Sequence, residues 1–179
     1  MNRLVAMLVA FATTAPSLVY AQQQPVDPHW LSFDANAKSV KFELIAGLTG
    51  VNGALNFNGF ADGKLTLVIP TGWAVEMNFV NNDGMLPHSA IVVAATLPIA
   101  AAPSVAAIPR ALTLRASEGL RPLAKDVMRF TAAPAGEYFI VCGVPGHAAG
   151  GMWIRLRVSD AATVPSLSTT PPAAQPSRP

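Results

Sequence analysis

The chain contains a single cysteine, Cys142, among 179 residues. No intrachain disulfide is available to it, so every small scaffold that relies on disulfide staples is excluded. Charge is scarce as well, at 12% of residues with a formal net charge of +2. That balance leaves no basic stripe for a nucleic-acid backbone and no polybasic run for an anionic membrane surface. Histidine is limited to His29, His88 and His147, too few for two separate metal clusters. Helical periodicity of useful length is missing beyond the first twenty residues, because Gly and Pro punctuate nearly every junction.

The N-terminus carries a different signal. Asn2 and Arg3 form a short positive region, Leu4 to Phe11 is continuously apolar, and Val19-Tyr20-Ala21 ends in the small-residue pattern of a cleavage site. Thr13, Thr14 and Pro16 cut the apolar run well short of the ~20 residues of a membrane span. The expectation is an exported chain with residues 1–21 as signal peptide; membrane association would follow only from an uncleaved signal. Loss of Arg3 would take the net charge from +2 to +1. An irregular lead-in is expected over 22–36, one folded domain over 37–159, and a flexible Pro/Ala/Ser/Thr-rich tail over 160–179, where few large apolar residues remain to offset ordering entropy.

Between these ends the pattern is that of strands. Val40, Phe42 and Leu44 alternate with Lys41 and Glu43; Leu65, Leu67 and Ile69 alternate with Lys64 and Thr66. Trp73, Val75, Met77 and Phe79 alternate with Ala74, Glu76 and Asn78 before the turn residues Asn81-Asn82-Asp83-Gly84. Ser89 to Ala95 reads as a strand buried on both faces, and Val127–Thr131, Glu137–Cys142 and Met152–Val158 complete the set. Thr96 to Pro109 is an Ala- and Pro-rich connection with room for one helical turn at most. About eight strands in one domain predict an all-β, Greek-key sandwich.

The chemistry gathers at one end of that sandwich. Tyr138, Ile140 and Cys142 share a strand face, as do Met152, Ile154, Leu156 and Val158. The connection from Gly143 to Gly151 holds His147 midway, with four glycines to wrap closely around a small object and Pro145 to stiffen it. His88 follows the turn from a separate strand pair. A thiolate, two imidazoles and a thioether are the donor set of a mononuclear blue-copper centre, so His88, Cys142, His147 and Met152 are the expected ligands of one copper ion. Taken singly, each reads more simply: His147 as a loop histidine, His88 as a hydrogen-bonded strand start, Met152 as core. Met85 competes as the thioether, but strand parity favours Met152. His29 reads as structural or exposed, and Met77 and Met128 as core. An unpaired thiol outside the cytoplasm is also an oxidation liability that a bound metal removes. The backbone N–H groups of Ser89 and Val144 are placed to donate to the thiolate; Pro145 has none. Gly84–Ala107 and Cys142–Ile154 lack Asp, Glu, Lys and Arg, which predicts an apolar docking patch of Met85, Leu86, Pro87, Val144, Pro145, Ala148 and Ala149 around an exposed edge of His147.

Four stretches carry a family resemblance: Ala54-Leu55-Asn56-Phe57-Asn58-Gly59-Phe60, Gly63 to Pro70, Leu86-Pro87-His88-Ser89, and Cys142-Gly143-Val144-Pro145-Gly146-His147-Ala148-Ala149-Gly150-Gly151-Met152-Trp153. Over roughly Val40 to Val158 the chain resembles the sulfocyanins, plastocyanin-like members of the cupredoxin fold, and its ligand loop is similar to that of rusticyanin. The resemblance implies a cupredoxin sandwich with type 1 copper on the four residues named. It also implies electron transfer in a respiratory chain, between a cytochrome-type donor and a terminal oxidase.

Other classes fit less well. Copper nitrite reductases and multicopper oxidases need further histidines, and a binuclear copper centre needs a second cysteine. Cysteine hydrolase chemistry needs an oriented base beside Cys142, and no residue orients His147 for that role. The expectation is therefore a protein that is not an enzyme. A periplasmic copper carrier or store, using the same ligands for Cu(I), is the alternative.

Overall fold

Strand parity decides the architecture. The computed structural model describes residues 25–169, and within them nine strands form two sheets. The first sheet has the order β1 (Leu31–Asp34), β2 (Ser39–Ala46), β4 (Ala74–Asn81), β6 (Lys125–Thr131). The second has the order β5 (Ile91–Ala94), β7 (Gly136–Val141), β8 (Trp153–Ser159), β3 (Leu65–Pro70), β9 (Ser166–Thr169). Strands β2 and β4 run parallel, as do β3 and β8; every other pairing is antiparallel. The all-β sandwich is as expected, with one strand more than eight. Among the described residues no helix is long and apolar enough to cross a membrane.

One core fills the space between the sheets. Phe42 and Leu44 on β2, Met77 and Phe79 on β4, Leu65, Leu67 and Ile69 on β3, and Ile154 and Leu156 on β8 all bury their side chains in it. Tyr138, Ile140 and Cys142 join it from one face of β7, and Met152 joins it ahead of β8. The other face of β7 is buried too. Phe139 and Val141 pack with Ile91, Ala148 and Trp153 beneath Ile99, Ala106 and Leu112. This double burial explains why 138–142 reads as an unbroken apolar run rather than an alternating one. Gly63 belongs to that packing: a Cβ there would fall 2.2 Å from the Trp153 ring.

Two expectations need correction. The lead-in over 22–36 is not irregular where it is described. Asp27 accepts from the His29 N–H at 2.8 Å to cap a 3-10 turn at Pro28–Trp30, and β1 then pairs with β2. Trp30 is buried, edge-on to Phe60 at 6.4 Å, and anchors the segment. The flexible tail does not begin at 160, because Ser166–Thr169 adds an edge strand to β3 with Leu167 against the core. Backbone pairing and one leucine suffice there, since β3 would otherwise present an open edge. The long connection after β5 is as expected and contains no helix; it lies along β5 through Val92 N–H to Ala111 carbonyl and Thr113 N–H to Ala90 carbonyl bonds, both 2.9 Å. The expected signal at 1–21, and residues 170–179, lie outside the described residues.

Candidate metal centre

At one pole of the sandwich, where β4 and β7 end and β8 begins, the fold brings together residues far apart in sequence. Asn81, the last residue of β4, fixes the turn that follows: its Nδ2 donates to the carbonyls of Leu86 and Leu120, both at 2.9 Å. His88 then enters a two-residue bridge with Leu120, donating its N–H at 3.2 Å and accepting the Leu120 N–H at 2.8 Å. Gly119 sits beneath this bridge at φ +78°, where a Cβ would lie 2.8 Å from Val144 and 3.0 Å from the His88 nitrogen.

The second contribution is the loop after β7. Cys142 continues the ladder by donating its N–H to the Met152 carbonyl at 3.1 Å, and the Met152 N–H donates to the His147 carbonyl at 3.0 Å. Gly146 and Gly150 close a tight coil at 2.8 Å between them. Outside the loop, Asn52 Nδ2 holds the Gly150 carbonyl at 2.8 Å and the Asp62 N–H holds that of Gly151 at 2.9 Å. The three segments thereby tie Cys142, His147 and Met152 into one rigid unit.

His88, Cys142 and His147 each offer a ligand atom, and these atoms lie within 4.8 Å of one another. Cys142 Sγ stands 3.6 Å from His147 Nδ1, and the two imidazole centroids are 5.2 Å apart. His88, Cys142 and Met152 are fully buried, whereas His147 is half-buried. The informative atom is His88 Nδ1. It is buried and has no hydrogen-bond partner, although Nε2 of the same ring meets Asp83 Oδ2 at 3.0 Å. With Nε2 as donor, a buried Nδ1 lone pair stands beside a thiol and a second imidazole. A buried acceptor is not left bare without a cost unless something occupies it, and this donor set suits copper. The residues present fit the ion.

The surroundings shift the titratable groups at the pole. Burial pushes the Cys142 thiol above its ordinary pKa, opposed by hydrogen bonds from the Ser89 N–H and the Val144 N–H. Ser89 N lies 3.4 Å from the sulfur. Burial, then the neighbouring His88, holds His147 below the usual imidazole range. For Asp83 burial acts upward, yet hydrogen bonds from His88, Met85 and Leu86 outweigh it and leave the carboxyl below its ordinary value.

Sequence reasoning missed two side chains. Asp83 was visible only as part of a turn. The Ser89 hydroxyl donates to the Ala116 carbonyl at 2.6 Å, accepts the Gly143 N–H at 2.9 Å and lies 3.8 Å from Sγ, so it braces the sulfur through contacts with two other segments. An Asp five residues before a candidate ligand, closing an Asn-Asn-Asp-Gly turn, was the available signal. The apolar rim needs one correction: Ala148 is 1% exposed and belongs to the second core cluster. The tight coil turns its methyl inward against Trp153 and Val141. Met85 (86% exposed), Leu86, Pro145 and Ala149 do face outward, with Pro87 and Val144 half-buried beside them.

The profile of the sulfocyanin (SoxE) domain matches residues 28–169. The chain belongs to the sulfocyanin family. A sulfocyanin of Sulfolobus acidocaldarius is 27% identical over 140 residues, covering 74% of this chain and 70% of that protein. Rusticyanin of Acidithiobacillus ferrooxidans is 36% identical over 98 residues, covering 52% of this chain and 59% of its own length. Among solved structures, reduced rusticyanin superposes with a TM-score of 0.52 at 26% identity, over 68% of this chain and 85% of that one. Another structure, described as the copper protein rusticyanin, gives 0.50 at 27% identity over 73% and 87%. The sandwich is thus of the cupredoxin type, and the pole carries the donor set for one type 1 copper ion.

Proposed function

We propose that this member of the blue-copper family carries single electrons in a respiratory chain outside the cytoplasm, taking them from a cytochrome-type donor and passing them to a terminal oxidase. The observation that carries the reading is the convergence of the buried, unpartnered His88 Nδ1 with Cys142 Sγ and His147 at one pole. His88, Cys142 and His147 would hold the ion, with Met152 supplying a thioether from the same rigid unit; bound copper supplies a one-electron couple. Each residue then has a separate task. Cys142 binds as thiolate, steadied by the Ser89 and Val144 N–H groups. Hydrogen bonds with Asn52, Asp62, Ser89 and the Ala101 carbonyl hold the ligand loop, so the donors keep their positions when the charge at the site changes. His147 alone reaches towards solvent, and the exposed side chains of Met85, Leu86, Pro145 and Ala149 surround that edge with a rim on which a redox partner can dock without displacing strongly held water. The dry shell disfavours the more highly charged oxidised state and raises the reduction potential.

A visible and EPR spectrum of the copper-loaded, oxidised protein tests this directly. An intense blue band that is lost in Cys142→Ala and retained in Met85→Ala is expected. Reduction by a c-type ferrocytochrome and reoxidation by membranes containing an oxidase are the second arm. Colourless protein with stoichiometric copper overturns the reading, and so does metal hand-off without electron exchange. The structure favours a carrier of electrons over a carrier of copper because three of the four donors are fully enclosed, which suits a resident ion better than one handed on.

A further inference from the structure

Asp83 carries more than its turn requires. One carboxylate oxygen already satisfies that turn: Oδ1 accepts the Met85 N–H at 2.8 Å and the Leu86 N–H at 3.2 Å. The other oxygen, Oδ2, is spent on His88 Nε2. The residue is also held from behind. Its N–H donates to Asn81 Oδ1 at 3.0 Å, and Gly47, at φ +64°, comes so near that a Cβ there would lie 2.9 Å from Asp83 Cβ. Among the described residues no Lys or Arg lies within ion-pair distance of it; His88 is its sole partner of that kind. Here a nearly buried carboxylate is locked in place, carries no cationic counter-charge and is separated from the metal position by one imidazole ring.

We infer that Asp83 is a positioning residue that fixes His88 as an Nδ1 donor and sets the reduction potential of the centre lower than its apolar surroundings alone would give. This rests on the reading of the pole as a copper electron-transfer site. The tautomer follows from chemistry: an ionised carboxylate accepts only, so Nε2 must carry the proton and Nδ1 must present its lone pair to the cluster. The effect on potential follows from charge. On reduction the site gains one electron, supplied in the test by an electrode; no bond to Asp83 forms or breaks and no proton moves. A fixed negative charge in a low-dielectric shell favours the doubly over the singly charged ion. The carboxylate therefore opposes the dry shell, and the two together tune the couple.

The test compares copper-loaded wild type, Asp83→Asn and Glu76→Gln by spectroelectrochemistry, following the blue band. Glu76 is a carboxylate of similar charge on the mid-part of β4, bonded to Arg129 and Lys41. Removal of outer contacts to a ligating histidine characteristically weakens metal binding about 10–100-fold. Where the loss falls tenfold harder on the oxidised ion, the midpoint rises by about 59 mV for a one-electron couple. The expected result is such a rise in Asp83→Asn with little change in Glu76→Gln. An unmoved or lowered potential in a blue Asp83→Asn protein overturns the role of Asp83. A second measurement needs no variant: nitrogen-15 NMR of the reduced wild-type protein should show His88 as the Nε2–H tautomer with a slowly exchanging proton. The Nδ1–H tautomer, or rapid exchange, overturns the inference. A wild-type protein that takes up no copper overturns the functional reading itself and is recognised by the missing band.

Discussion

Ser89 shows how much one hydroxyl organises. It joins the carbonyl of Ala116 to the N–H of Gly143 behind the sulfur, so Ser89→Ala strands two buried backbone groups while leaving the Ser89 N–H on Sγ. A loss of about 1–3 kcal/mol is expected in chemical denaturation, with the blue band retained. Gly143→Ala is harsher, because its Cβ would lie 2.6 Å from the Ala116 carbonyl oxygen, which is backbone and cannot swing aside. That variant should lower the melting temperature and weaken copper uptake together, measured by calorimetry and by titration of the blue band. The same contrast explains what was legible here. His88, Cys142, His147 and Met152 stood out because each belongs to a residue type that is rare in the chain and soft or basic in chemistry. Asp83 and the Ser89 hydroxyl did not, since turns are full of Asp and Ser and nothing in their spacing reveals which oxygen faces a ligand.

Strands β2, β4 and β6 carry a cross-strand charge ladder. Lys41, Glu76 and Arg129 occupy directly paired positions, and Glu76 lies 3.4 Å from Lys41 Nζ and 3.0 Å from Arg129. Hydrogen bonds from Arg129 and then Lys41 hold the Glu76 carboxyl below its ordinary value of 4.5. A depressed carboxyl contributes stability above its unfolded pKa and loses it as pH falls through the folded one. Glu76→Gln should therefore melt slightly below wild type at neutral pH, and the two curves should converge as pH falls through the folded-state pKa of Glu76 and in high salt, because the ladder is largely solvent-exposed. Elements were readable where two faces differ, as in 40–46 and 74–81. They were unreadable where pairing depends on the partner rather than on the segment: β1 and β9 are four residues each, and their hydrogen bonds come from a neighbouring edge. The course of the connection after β5 was unreadable for the same reason, as it lies along that strand through scattered backbone bonds.

At the scale of the molecule, electron exchange and stability sit in different places. The core between the sheets sets stability: Phe42→Ala, at a fully buried position, should cost about 3–5 kcal/mol in denaturant unfolding while leaving the blue spectrum intact. The rim is the surface proposed for encounter. Met85 is 86% exposed, so Met85→Lys should preserve spectrum and melting temperature yet slow self-exchange between oxidised and reduced copies about tenfold, read from NMR line broadening, because two like charges then meet. The pole itself is assembled from separate stretches of chain, with the loop after β7 supplying three of the four donors and Asp83, Ser89, Ala116 and Gly119 arriving from elsewhere. Transplanting Cys142–Met152 into a foreign sandwich would thus deliver donors without their buttresses: a sulfur lacking its amide from Ser89, and a recipient histidine lacking its carboxylate. Such a chimera should still acquire colour but drift in hue and potential from host to host, and only a graft that brings residues 81–89 and 116–120 along should reproduce the parent's values.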